Sequence, residues 1–434
     1  MGRLLLIAAR NLMQNRRRTA LLSAAIVAVT MLLVLLGSLG NGIQATLLEA
    51  GTAMLTGHVN VGGFYKITSG MGSPILVEAE RTLKDVRELV PESAQIVDRR
   101  RGFGKIVSES DTVQGALTGI DATNEDALRG VLRIVEGSLD SLGGEDLSIL
   151  LFQKQAERLK VSVGDDVTLS SQVVRGQTNA LKVRVGAIAK DMGLISIMSS
   201  YVSKNVLRDL YQLDPDTTGV IMVYLDDPDQ AATVKAKLRE GLLQRNHRLM
   251  EDEPDAFYHK FQQVAGEDWT GMKLDVTTWE DELANVQWTM KTFDTITSLL
   301  IGVLLVIVII GVMNTMWITV RDRTREIGTL RAIGMGRLRV LVMFLLETVI
   351  LSTVSALLGV SLGAAIAGLL NWLQIPVSPG FQIFLMSDTL RLVVAPYSLV
   401  MAVVVVPLLT TFGALFPASR AARLKPVTAM QHAG

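Results

Sequence analysis

The sequence predicts an α-helical membrane protein with four transmembrane helices and a large two-lobed α+β extracytoplasmic domain between helices 1 and 2. Three observations carry this. First, no charge occurs from Thr19 to Leu48, from Thr295 to Val320 or from Leu392 to Phe416, and after Arg339 only Glu347 interrupts the run to Asp388. About 20 apolar residues cross a bilayer as a helix, so the expected spans are 19–40, 295–320, 340–370 and 392–416. Second, residues 41–287 are of mixed polarity and long enough for one large or two small domains. Third, Arg and Lys collect before the first span (residues 1–18), in the loop 321–339 and in the tail 417–434. By the positive-inside rule these three segments are cytoplasmic, which puts residues 41–287 and the linker 371–391 outside.

Composition agrees with a chain that is part membrane and part polar. Of 434 residues 49% are hydrophobic, yet 42 basic and 42 acidic side chains cancel to zero formal charge, which argues against a general nucleic-acid binder. Mean hydropathy is +0.37, high for an ordinary water-soluble protein. There are no cysteines, hence no disulfide, thiolate metal site or cysteine nucleophile.

Taken in order, Arg16-Arg17-Arg18 precede the first span. Its apolar core is too long for a cleaved signal peptide and no small-residue cleavage site follows, so it reads as a signal anchor. His58-Val-Asn-Val reads as a strand, Glu78 to Leu89 as a helix, and Gln95 to Val107 and Thr112 to Ile120 as strands. Farther on, Gly219 to Leu225 and Leu274 to Thr277 read as strands around a helix from Asp229 to Leu243. Two β-α-β units imply a first lobe (41–120 and 217–278) and an inserted lobe (121–216). The insert is expected to hold a helix from Leu147 to Leu159 and strands at Asp166 to Val174 and Ala180 to Ile188. Thr277 with Glu280 has the spacing of a capping box. Beyond it Leu283, Val286, Met290, Phe293, Ile296 and Leu300 recur every three or four residues, so a stalk (279–294) should run unbroken into the second span. The first span extends similarly through Ile43, Leu47, Leu48 and Met54.

The loop 321–339 has its own order. Ile327, Leu330, Ile333 and Leu338 give a partly apolar face at helical spacing, Arg325, Glu326 and Arg331 point elsewhere, and Gly334-Met335-Gly336 breaks the helix. Such an element either lies on lipid headgroups or docks another protein. Thr324-Arg-Glu-Ile-Gly-Thr-Leu-Arg-Ala-Ile-Gly-Met335, Phe344-Leu-Leu-Glu-Thr348 and the tail from Pro417 to Met430 resemble the ABC-transporter permeases that include the macrolide-efflux and lipoprotein-releasing proteins and the cell-division permease FtsX. The stretches from Gly119 and from Leu159 resemble the external domain of the same permeases. The resemblance implies that the loop helix docks in a groove of an ATPase subunit, through Arg325, Glu326, Ile327, Leu330, Arg331, Ile333 and Gly334. The implied partners are two copies of a cytoplasmic ABC ATPase and a second permease subunit, as homodimer or heterodimer, in a bacterial inner membrane. A lipoprotein, a periplasmic adaptor or an outer-membrane protein is the implied counterpart outside.

Other candidate sites are few. No Gly-x-x-x-x-Gly-Lys-Ser/Thr occurs, and Gly102-Phe-Gly104-Lys105 lacks the spacing, so ATP and magnesium belong to a partner chain and this chain needs no cofactor of its own. The four histidines are scattered, and Glu251-Asp-Glu-Pro-Asp255 reads as a solvated loop. Arg99-Arg100-Arg101 reads as part of an exposed strand. Within the spans, Asn314 and Glu347 should both lie about 10–12 Å from the cytoplasmic edge, where polar groups are costly, and pair across helices. Gly359, Gly363 and Ala367 form a small-residue row that admits close helix packing, including a dimer contact. The expected function is mechanotransmission: a non-catalytic permease subunit converts ATP hydrolysis by its partner into external movement, for lipoprotein release or efflux of amphiphiles and peptides. The alternative is a signalling scaffold that regulates an external partner such as a cell-wall hydrolase.

Overall fold

An apolar run without proline carries the helix α1 (Arg16–Met54) for 39 residues, about 60 Å at 1.5 Å per residue. A hydrocarbon core is about 30 Å thick, so α1 is twice as long as a crossing requires. The same holds for α2 (Ala284–Asp322), also 39 residues. A short helix α3 (Thr324–Ala332), then α4 (Arg337–Leu373) and α5 (Pro396–Ala422), complete the apolar part. Four of these, all but α3, are long and apolar enough to cross a membrane. The computed structural model describes residues 8, 10–14, 16–68, 70, 72–144, 146–172, 177–193, 195–378 and 389–423. The C-terminal signature beyond Arg423 and the linker over 379–388 lie outside the described residues.

The chain divides into a membrane unit (Met1–Ala45, Thr289–Pro376 and Thr389–Gly434) and a mixed unit (Thr46–Trp288 with Val377–Asp388). In the membrane unit Ile26 and Leu33 of α1, Val308, Val312 and Met316 of α2, Phe344 and Ala356 of α4, and Ala414 and Ala418 of α5 share one core. Gln44 donates from Nε2 to Asp294 Oδ2 at 2.6 Å, tying α1 to α2 above their apolar windows. Gly359 and Gly363 let α4 lie directly on α1: an added Cβ would stand 2.7 Å from Thr30 Cβ and 2.9 Å from Val34 Cβ. This row, with the buried Ala367, is therefore spent on packing within the chain and is not free for a dimer contact.

In the mixed unit ten strands join one sheet. They are β1 (Val59–Lys66), β2 (Gln95–Val107), β3 (Thr112–Ile120), β4 (Ile134–Gly137), β5 (Ser148–Phe152), β6 (Asp166–Gln172), β7 (Thr178–Ala189), β8 (Ser199–Ser203), β9 (Val220–Tyr224) and β10 (Gly271–Thr278). Strands β10, β1, β9 and the first half of β2 pair antiparallel. The helices Ala79–Leu89 and Ala231–Gln244 cover one face, packing Val86, Val234, Leu238 and Leu242 on Val59, Val61, Ile221 and Val223. From Arg100 onward β2 leaves β9 and pairs with β3. The pairings then run β3–β8, β8–β5, β5–β7, β7–β6 and β6 back to β2. Six strands thus close a ring around Ile106, Leu117, Ile149, Leu151, Leu169, Val185 and Val202, and closure removes free strand edges.

Three expectations need correction here. The second lobe starts inside β2 and not at residue 121, because one 13-residue strand serves both lobes. The predicted helix 147–159 is a buried strand, β5, followed by the helix Gln153–Leu159. Its run Ile149-Leu-Leu-Phe152 is covered on both sides, and such a run has no periodicity to separate strand from helix. The capping box falls one residue later, Thr278 with Asp281, while Thr277 donates to Glu282 at 2.7 Å. It opens only the short helix Trp279–Glu282, and α2 starts anew at Ala284.

Candidate functional site

The loop between α2 and α4 is held at three points. Ile327 is only 1% exposed and belongs to the membrane-unit core with Val320, Val340 and Phe344. Arg331 donates from Nη1 to the Ala422 carbonyl, at the end of α5, at 2.5 Å. Arg323, at the joint between α2 and α3, donates from Nη1 to both oxygens of Glu347 at 3.1 and 3.3 Å. Glu347 also accepts from Asn11 Nδ2 at 2.6 Å, and Arg323 Nη2 reaches the Asn11 carbonyl at 3.4 Å. Both members of this ion pair are nearly buried, beside a cavity of about 50 Å³ that Thr19, Met316 and Thr348 help to line. Helix α3 stops in a Schellman turn: Met335 N donates to Leu330 O at 3.0 Å and Gly334 N to Arg331 O at 3.2 Å, with Gly334 at φ +102°. Ile333 within this turn and Leu338 past it are 81% and 71% exposed.

A second polar cluster sits at the other end of α1, inside the mixed unit. The last carbonyls of a helix lack intrahelical donors. Here Arg99 of β2 donates from Nη2 to Ala53 O at 2.8 Å and from Nη1 to Met54 O at 3.2 Å. Tyr201 of β8 donates to Met54 O at 3.0 Å and Tyr224 of β9 to Thr52 O at 3.2 Å. Glu125 holds the guanidinium through Nε at 2.8 Å and Nη2 at 2.7 Å, and both charged side chains are fully buried. Burial pushes the Tyr201 and Tyr224 hydroxyls to higher pKa, so they stay protonated as donors. Strands of both lobes thereby grip one helix end.

Residues 19–240 match the family of MacB-like periplasmic core domains, and residues 298–426 match the FtsX-like permease C-terminal family. The chain belongs to the MacB/FtsX-like permeases. Among curated relatives, the macrolide export ATP-binding/permease protein MacB of Escherichia coli (strain K12) is 36% identical over 163 residues, 36% of this chain and 23% of the relative. The protein of the same name from Agrobacterium fabrum is 33% identical over 151 residues, 34% of this chain and 21% of the relative. The alignments thus span only about a fifth of those relatives. Among solved structures, the periplasmic region of MacB from Actinobacillus actinomycetemcomitans is similar at TM-score 0.30 and 12% identity, over 52% of this chain and 92% of that one. The extracellular domain of the noncanonic transporter YknZ from Gram-positive bacteria gives TM-score 0.30 and 14% identity, over 50% and 98%.

In this permease the sites expected from sequence are redistributed. Asn314 lies exposed on α2, and Glu347 is engaged by Asn11 and Arg323 instead, so the proposed pair is replaced by a three-residue network. Ile327 faces the membrane core, which leaves Ile333 and Leu338 as the loop's free apolar side chains, while Leu330 and Arg331 are partly buried and Arg325, Glu326 and Gly334 are exposed. Arg99 is buried and not on an exposed face, because the helix end and Glu125 give it four oxygen partners.

The Asn11–Glu347–Arg323 network makes a measurable prediction. Interhelical hydrogen bonds in membrane are worth about 1–2 kcal/mol. Glu347→Gln and Asn11→Ala should each cost about that much in thermal unfolding of the detergent-solubilised chain. Because they share one network, the double variant should lose less than the sum; strictly additive losses would show the contacts to be independent.

Proposed function

We propose that this permease is the membrane subunit of an ABC transporter that works by mechanotransmission. Two permease copies, alike or different, join two copies of a separate ATPase in a bacterial inner membrane. ATP and magnesium are bound by that ATPase, and this chain contributes no catalytic group. The N-terminal segment, the loop and the tail face the cytoplasm; the mixed unit lies outside. The output is release of a lipoprotein or efflux of amphiphiles and peptides, through an adaptor or outer-membrane partner.

The observation that supports this most is the fixing of α3. A helix that merely rested on lipid would not need Ile327 in the core, Arg331 on the end of α5 and Arg323 on Glu347. Those contacts make the loop one body with the span ends, so that a push on Ile333 and Leu338 is delivered to α2 and α4. Helices α1 and α2 continue without interruption out of the apolar windows, and Arg99 and Glu125 fasten the end of α1. In this reading, those helices and buried polar joints carry the motor's stroke to the external domain. It is tested by purifying the tagged chain from its native membrane in mild detergent. An ATPase subunit should copurify in about equal amount and hydrolyse ATP. A complex without any nucleotide-binding chain would remove the proposal.

A further inference from the structure

Where α2 and α5 meet the loop, Trp317, Ile318, Val320, Arg321, Thr324, Arg420 and Arg423 line an open pocket of about 640 Å³. Three guanidinium groups, Arg321 of α2, Arg420 of α5 and Arg423 at the cap of α5, thus line one pocket. Among the described residues none of the three forms an ion pair with a carboxylate, whereas the neighbouring Arg323 and Arg331 are committed to Glu347 and to the Ala422 carbonyl. The Arg420 guanidinium lies 5.2 Å from the ring centres of both Trp317 and Phe416, which fixes its plane at the pocket wall. Toward the membrane the surface turns apolar, with Ile318, Phe412 and Phe416 exposed.

We infer that this pocket binds the phosphate headgroup of an anionic phospholipid, with Arg321, Arg420 and Arg423 as its cationic wall and the α2–α5 surface as the seat of an acyl chain. Like charges held together without counter-charge repel, and an anion relieves that cost. Guanidinium suits a phosphate because its fork donates two parallel hydrogen bonds. An acidic protein surface would satisfy the charge but not the aromatic and aliphatic wall that continues into the membrane-facing side. Basic pockets between spans at the membrane edge are suited to anionic headgroups for these reasons. The inference rests on α2 and α5 being spans and not on the identity of any ATPase.

The test uses the full chain in neutral detergent, delipidated and titrated with phosphatidylglycerol, phosphatidylethanolamine or inorganic phosphate, with binding read by native mass spectrometry and by the thermal midpoint. Phosphatidylglycerol should bind and raise the midpoint. In the variant Arg321→Gln/Arg420→Gln/Arg423→Gln its affinity should fall roughly a hundredfold, at about fivefold per arginine. Arg16→Gln/Arg17→Gln removes exposed cations outside the pocket and should leave binding within a few-fold. Equal losses in the two variants would mean a diffuse surface charge and overturn the site. Inorganic phosphate binding as well as the lipid would reassign the pocket to a free anion. No preference for phosphatidylglycerol over phosphatidylethanolamine would also overturn it.

Discussion

Replacing Arg99 by methionine should destabilise the mixed unit by about 3–5 kcal/mol, because it leaves the Glu125 carboxylate buried without its partner. The same change strips Arg99's donors from the Ala53 and Met54 carbonyls; Met54 keeps the Tyr201 hydroxyl, whereas Tyr224 donates to Thr52 and does not replace the guanidinium at Ala53. The double variant Arg99→Met/Glu125→Leu should recover part of the loss, since a buried ion pair replaced by apolar groups of similar volume is often neutral. Recovery should stop short of wild type, as an unsatisfied buried acceptor still costs about 1–3 kcal/mol. Hydrogen exchange of β2 and β9 in the full chain reads this directly. The expected order of protection is wild type, then the double variant, then Arg99→Met. Protection in Arg99→Met equal to wild type would mean that the helix end is held by packing alone.

A second large effect is expected at the loop. Burying an exposed aliphatic side chain contributes about 1.5–3 kcal/mol. If Ile333 and Leu338 enter a groove of the ATPase, as helices dock through spaced apolar anchors, Ile333→Asp/Leu338→Asp should lower its affinity by two orders of magnitude or more. Both side chains are free in the isolated permease, so thermal unfolding of that variant should match wild type. Ile327→Asp should behave differently. It places a carboxylate in the membrane-unit core, and burying an unpaired charge is costly enough to lower stability along with ATPase recovery. Loss of Arg325 alone should do little, since an exposed ion pair is worth under about 1 kcal/mol. Full ATPase recovery with the Ile333/Leu338 variant would take the dock away from this loop.

How much of this was legible in the sequence depended on how local the cause was. The spans were, because uncharged runs of that length have few other uses, and so was the hairpin of β2 and β3, where Ser108-Glu-Ser-Asp111 interrupts two alternating stretches. The loop's periodicity gave an apolar face but could not say which part of it meets the chain's own core; that is why Ile327 and Ile333 ended on opposite sides of the question. Arg99 was misplaced because its burial is explained only by Glu125, 26 residues on, and by a helix end 45 residues back. The stretch from Gly119 that resembles the family's external domain contains Glu125, and an unexplained carboxylate there was the available hint. Asn11 and Glu347 are 336 residues apart, and closure of the six-stranded ring depends on β6 returning to β2; neither leaves a mark on local pattern.

In the proposed mechanism, ATP binding by the ATPase docked on the loop moves the external domain. The chain has no cysteine, so Glu157→Cys, at an exposed position on the helix Gln153–Leu159, gives one spin label per permease copy in the purified complex with its ATPase. The distance between the two labels should shift when ATP is bound and hydrolysis is blocked, return after hydrolysis, and stay fixed in the Ile333→Asp/Leu338→Asp background. An unchanged distance in a wild-type complex that still hydrolyses ATP would contradict mechanotransmission.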